Sequence, residues 1–247
     1  MSQVYLCFAE VPDAAASGSG DESPLKGAFI FANCRLAKAN SPDEVWLTPR
    51  EARMFAEIKS PRRRRDWLAG RCAAKELIRS YLLEREGLAL ARSHIEILND
   101  ENGAPKVLLP LNLEISIAHS GGHGLAGLCA HSPLGVDLQQ IRPVRSDLVE
   151  RVLTERERAQ LAQHFAGDSL EGTLVFWALK EAAIKVHRAR PAPAWCEIAV
   201  RLTEPGHAEI LVRSRRLQAQ WGRWKEFIWA WAAPYSLSST MVTPSPP

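Results

Sequence analysis

The stretch FWALKEAAIKV, residues 176–186, decides how the rest of the chain is read. Ala, Leu, Lys and Glu fill it without Gly or Pro, so composition and period both predict a helix. Trp177, Glu181 and Lys185 follow one another at spacings of four and therefore share one face. A carboxylate with Lys185 one turn on and Lys180 beside it makes a candidate station for a metal ion and a phosphate. Taken alone, an i,i+4 Glu–Lys pair is an ordinary solvated helix face. Two other segments give it company: Asp137 in a glycine-led strand, and His119 in a serine-flanked turn.

Working outward, GVDLQQ (135–140) alternates with a period of two, which puts Val136 and Leu138 on a core face and Asp137 with Gln139 on the other. An acid and an amide two residues apart can share a hard cation through oxygen. An edge position would account for a strand Asp equally well. Leu113, Ile115 and Ile117 alternate with Glu114 and Ser116 in a half-buried strand. It runs into AHSGGH (118–123), and residues 125–130 return from that turn, predicting a hairpin. Its glycines would let a phosphate approach backbone N–H groups, with His119 at the strand exit.

Thr48-Pro49-Arg50-Glu51 is a capping box with Pro at the first helical position, and it starts a short helix to about Ile58. Ser60-Pro61 starts a second helix that ends at Gly87, with Trp67, Ala74, Ile78 and Tyr81 as its apolar stripe. Beside the stripe Arg64, Arg71 and Lys75 form one basic line, readable as an anion-binding face or as solvated charge. Residues 94–98 read as a strand that turns back into 106–109. Residues 146–153 and 154–164 read as helices, the second behind another capping box, Thr154-Glu155-Arg156-Glu157. Residues 197–202, 208–212 and 227–232 read as strands of a closing sheet, with Trp221, Trp224, Trp229 and Trp231 as core or rim. Residues 4–8 and 27–34 are strand-like, 14–23 a loop, and 236–247 a polar, proline-rich tail that reads as disordered. No internal repeat is evident in the sequence.

Taken together these segments resemble 4′-phosphopantetheinyl transferases of the surfactin-synthetase type. RRRRDWLAGRCAAKELI is similar to the family's early basic helix, ENGAPKV to a segment ending Gly-Lys-Pro, and SIAHSGG to its Ser-His-Ser turn. GVDLQQ resembles its Gly-(Ile/Val)-Asp strand and FWALKEAAIKV its Trp-x-x-Lys-Glu helix; these two carry the specific signal. The resemblance implies an α+β fold of two similar α/β halves, pseudo-dimeric, with the active site in the cleft between them. Residues 1–134 would form a nucleotide-binding half, and residues 135–235 a metal-binding, catalytic half. It implies Mg²⁺-dependent transfer of phosphopantetheine from coenzyme A to a serine of an apo acyl or peptidyl carrier protein, releasing 3′,5′-ADP, by a monomeric enzyme. Asp137 and Glu181 would hold the metal, with Gln139 standing where many members carry Glu. Glu181 would also be the base. His119 would meet the 3′-phosphate, Lys185 the pyrophosphate, and Arg64 and Arg71 the nucleotide end. Ala104 stands where the family's lysine is expected.

Whole-chain properties bound the alternatives. The 247 residues are 46% apolar and 24% charged with net charge +3, which is ordinary for a soluble globular protein and too mild to require a polyanion. The arginines 62–65 lack interleaved aromatics, which disfavours nucleic acid. An RNA- or nucleotide-binding module and a non-catalytic, partner-binding relative remain the rival classes. Five scattered cysteines without a CxxC pair point to a reducing compartment and away from a disulfide scaffold or structural zinc. With no apolar run of membrane-span length and no basic-then-apolar leader, the expectation is a cytoplasmic protein without a membrane partner.

Overall fold

The computed structural model describes residues 4–10, 29–33, 46–130, 132–144, 147–188 and 191–235. The predicted tail at 236–247 and the loop at 14–23 lie outside them. Two antiparallel-dominated sheets each carry one long helix. The first sheet is built from β1 (Val4–Glu10), β2 (Phe29–Asn33), β5 (Leu113–Ser120) and β6 (His123–Ala130), in the order β2-β1-β6-β5. The second is built from β7 (Gly135–Gln140), β8 (Ile198–Leu202), β9 (His207–Val212), β10 (Arg215–Trp224) and β11 (Phe227–Pro234), in the order β7-β11-β10-β9-β8. A separate ribbon pairs β3 (Ile97–Asn99) with β4 (Pro105–Val107).

The helices follow their caps. α1 (Pro49–Glu57) opens on the Thr48 capping box. α2 (Pro61–Glu86) is capped by Ser60 and closed by Gly87 at φ 66. α4 (Glu155–His164) opens on the Thr154 box, behind the five-residue α3 (Leu148–Val152). α5 (Ser169–His187) contains the whole 176–186 stretch. β10 was not expected from sequence. Its RRLQAQWGRW is polar and carries a glycine, and only Leu217 and Ala219 on one side are buried, so it shows no clear apolar alternation.

The two halves are one plan used twice. In each, an antiparallel trio (β1-β6-β5, then β7-β11-β10) packs under the long helix. Each also has the same buried ion pair. Glu51 accepts from Thr48 N–H, Ile97 N–H and Lys75 Nζ, the last at 2.5 Å; Lys75 also donates to the Trp46 and Arg92 carbonyls. Glu157 accepts from Thr154 N–H, Val200 N–H and Lys180 Nζ, the last at 2.8 Å; Lys180 donates to the Val152 and Trp195 carbonyls. Burial lowers both lysine pKa values, opposed by the partner carboxylate. Lys75 therefore does not belong to an exposed basic line, and Lys180 is not available to a phosphate.

The halves meet edge to edge. β5 and β7 do not share a ladder; instead Ser116 Oγ accepts from Val136 N–H at 3.0 Å and Ser120 Oγ from Gln140 N–H at 3.3 Å. Leu6, Phe8, Leu125, Val136, Leu138 and Trp229 fill the core between them. Among the cysteines, Cys129 and Cys196 are free thiols. Cys72 is disulfide-bonded. No helix among the described residues is long and apolar enough to cross a membrane.

Candidate functional site

β7 is an edge strand, as its Asp allowed, yet Asp137 is only 6% exposed because α5 lies across it. That close approach requires Gly135, where a Cβ would stand 1.9 Å from the Ala182 carbonyl oxygen. The outcome is a compact polar group beneath α5. Lys185 Nζ lies 2.9 Å from Asp137 Oδ1 and 2.8 Å from the Val136 carbonyl. The Gln139 amide nitrogen donates to Asp137 Oδ2 at 2.6 Å. Glu181, one turn before Lys185, is half-buried and accepts from the Trp195 indole N–H at 2.9 Å.

The electrostatics single out Glu181. Burial raises its pKa first, and the Asp137 charge raises it further; hydrogen bonds from Trp195 and Trp177 and the nearby Lys185 pull the other way. Two carboxylates that repel across a partly dry gap form a place that favours a cation. Asp137, Glu181 and the Gln139 amide are hard oxygen donors. Their number suits Mg²⁺, which takes one or two carboxylates and completes its shell with water and phosphate oxygens. No group of three or more His, Cys, Asp or Glu suited to a metal occurs among the described residues.

His119 joins from the other half. Asp66 on α2 accepts from Gly122 N–H at 2.6 Å and pins the turn after His119, whose Gly121 and Gly122 have φ 56 and 81. The His119 side keeps an exposed edge. Burial of the rest of the ring lowers its pKa, with Lys185 acting the same way and Asp66 and Asp137 opposing. Arg64 and Arg71 are placed differently. Arg64 stacks on Phe55 at 4.3 Å. Arg71 is 5% exposed, lies over Trp67 and donates to Asn99 Oδ1 at 3.3 Å. Desolvation lowers its pKa to about 10. Its buried Nε has no hydrogen-bond partner among the described residues.

The internal repeat shows which residues are peculiar to the second half. β6 and β11 each follow a two-residue turn. Their fourth residues, Ala126 and Ala230, face Cys7 and Asp137; their second residues, Gly124 and Ile228, face Ala9 and Gln139. On the helices, counting from the buried lysines pairs Glu76 with Glu181 and Ser80 with Lys185. Glu76 is held by Arg79 at 2.9 and 3.0 Å and by Arg92, the counterpart of Trp195. Among the described residues, the second half alone combines an Asp, an amide, a glutamate not held by an arginine and a lysine. Trp195 was missed in the sequence; nothing near it marks its role, since it is brought to Glu181 by the chain's return after α5.

Among comparisons with known proteins, the family match falls on this half. A family described as "4′-phosphopantetheinyl transferase superfamily" matches residues 133–236. The chain is 40% identical over 94 residues to a holo-[acyl-carrier-protein] synthase of Geobacillus kaustophilus, covering 37% of this chain and 72% of that one. It is 26% identical over 134 residues to the 4′-phosphopantetheinyl transferase ffp of Bacillus subtilis, covering 54% of this chain and 58% of the relative. Among solved structures, a holo-[acyl-carrier-protein] synthase of Thermotoga maritima aligns with TM-score 0.36 at 18% identity, over 42% of this chain and 62% of that chain.

Proposed function

The chain belongs to the 4′-phosphopantetheinyl transferase superfamily, and from that membership we propose that it moves the 4′-phosphopantetheine group of coenzyme A onto a serine of an apo carrier protein. The carrier's serine Oγ attacks the phosphorus that bears the pantetheine arm. A new phosphorus–oxygen bond forms to serine, the pyrophosphate bond breaks, and 3′,5′-ADP departs with the electron pair. The observation that carries this reading is the Asp137–Gln139–Glu181–Lys185 group, present in one half and replaced in its repeat.

Each residue has work suited to its surroundings. Glu181 takes the serine proton; its raised pKa makes it a stronger base than an exposed glutamate, and the Trp195 N–H fixes its orientation. Lys185, already at the site, gives a positive charge to the pyrophosphate as negative charge develops on the leaving group. His119 meets a phosphate and gains its proton there. Asp137, Gln139 and Glu181 would hold Mg²⁺, which when bound neutralises the pyrophosphate. Arg64 and Arg71 would help hold the nucleotide. The test is incubation with coenzyme A, Mg²⁺ and an apo carrier protein, reading the carrier's mass before and after. A carrier whose serine stays unmodified rejects the proposal.

A further inference from the structure

Beyond Lys185 a cavity of about 400 Å³ opens between the halves, lined among others by Ala104, Pro105, Ser116, Leu134, Lys185 and Arg188. Arg188 is the residue that closes α5, and it does so at φ 46, a left-handed cap that glycine fills at least cost. An arginine kept in that conformation calls for a reason beyond chain reversal. Its side chain crosses to the other half. Nη1 lies 2.8 Å from Glu114 Oε2, and Nη2 donates to the Ile115 carbonyl at 3.3 Å. Both partners of the ion pair remain 28% exposed, so the guanidinium is oriented without being sealed. Cation and cavity thus repeat the arrangement at Lys185, where a lysine also waits on a carboxylate.

We infer that Arg188 is a phosphate-binding residue of this cavity, held ready by Glu114, and that Glu114 competes with the anion for it. The inference rests on the transferase reading for the identity of the ligand, a phosphate group of coenzyme A. The planar fork of arginine can meet two phosphate oxygens at once, and a ligand that takes it from Glu114 binds across the two halves. The competition fixes the signs: removing the cation weakens binding, and removing the carboxylate's charge strengthens it.

The experiment is calorimetric binding of coenzyme A, dephospho-coenzyme A and inorganic pyrophosphate to wild type, Arg188→Gly, Arg188→Lys and Glu114→Gln. Thermal unfolding serves as a check on folding, and Arg188→Gly suits the left-handed cap. Arg188→Gly should weaken coenzyme A binding about tenfold or more, the scale of one charged hydrogen-bonded contact. Arg188→Lys should recover part of it, and Glu114→Gln should tighten binding by a few-fold. Loss of the preference for coenzyme A over dephospho-coenzyme A would place Arg188 at the 3′-phosphate; equal weakening of both would place it at the pyrophosphate. Folded Arg188→Gly that binds all three ligands like wild type overturns the inference and leaves the transferase reading standing. A wild type that binds pyrophosphate through Arg188 but not coenzyme A keeps the subsite and overturns the transferase reading; one that binds none of the three overturns both.

Discussion

Glu181 and Glu76 occupy the same place in the two halves, each one residue after a buried lysine, yet Glu76 is held by two arginines and Glu181 by indole N–H groups. The repeat supplies its own control. Glu181→Gln should cut transfer about 10²–10⁴-fold, the range for losing a positioned base. Glu76→Gln should leave turnover near wild type and act on stability instead. Steady-state rates of the two variants, measured beside their unfolding midpoints, decide it. Equal losses of rate would erase the distinction between the halves.

Glu181 also predicts a dependence on pH. Its folded pKa lies above its unfolded value, so its contribution to stability is fully present below the unfolded pKa and is lost as pH rises through the folded one. Glu181→Gln, uncharged throughout, should gain stability relative to wild type at neutral pH but not at strongly acid pH. In the metal-free protein the titration of the Glu181 carboxyl, followed by NMR, should have its acid limb above the ordinary glutamate range. Trp195→Phe, which removes a hydrogen bond that lowers this pKa, should move the limb to higher pH. An unmoved limb would show that this hydrogen bond does not set the pKa.

The paired capping boxes are where the sequence was most informative. Both Thr-x-x-Glu boxes were legible, as were α2 from its cap and the 176–186 part of α5 from its composition. What connected them was not. Each box glutamate meets a lysine far along the chain, Lys75 and Lys180, and only in three dimensions does the pair become a repeated element. In the sequence the repeat survives only as two short matches, Leu47-Thr48-x-Arg50-Glu51 with Leu153-Thr154-x-Arg156-Glu157 and Ala73-x-Lys75-Glu76 with Ala178-x-Lys180-Glu181, too brief to stand out before the fold pairs them. Asp137, Glu181 and Lys185 stood out because the strand and helix motifs that carry them resemble a known family's, and the fold brings the three together. Trp195, Asp66 and Arg188 were not, because their roles depend on contacts across loops and between halves.

Those buried pairs should be stability elements. Lys180→Met or Lys75→Met leaves a carboxylate in a dry site and should cost about 3–5 kcal/mol. Replacing both partners of one pair with apolar residues should recover much of that. Chemical denaturation of single and paired variants measures it. A cost under about 1 kcal/mol for either lysine would show that its carboxylate finds water.

Gln139 holds Asp137 through its amide and adds no negative charge. Gln139→Glu should lower the Mg²⁺ concentration needed for half-maximal transfer, and Gln139→Ala should raise it modestly. Asp137→Asn should be far worse than either, since it removes charge that the site cannot replace. A Mg²⁺ titration of the three variants tests the order. If Gln139→Ala proved as damaging as Asp137→Asn, the amide would be an indispensable ligand.

The central claim is metal-assisted transfer at the Asp137–Glu181–Lys185 group, and intact-mass measurement of an apo carrier protein tests it most directly. With coenzyme A and Mg²⁺ present, the carrier should gain one phosphopantetheine, and 3′,5′-ADP should appear in equal amount. Excess EDTA should stop both, and added Mg²⁺ should restore both. Lys185→Ala should slow the gain by roughly ten- to a thousandfold. Undiminished mass gain in EDTA, or in folded Lys185→Ala, would contradict the account.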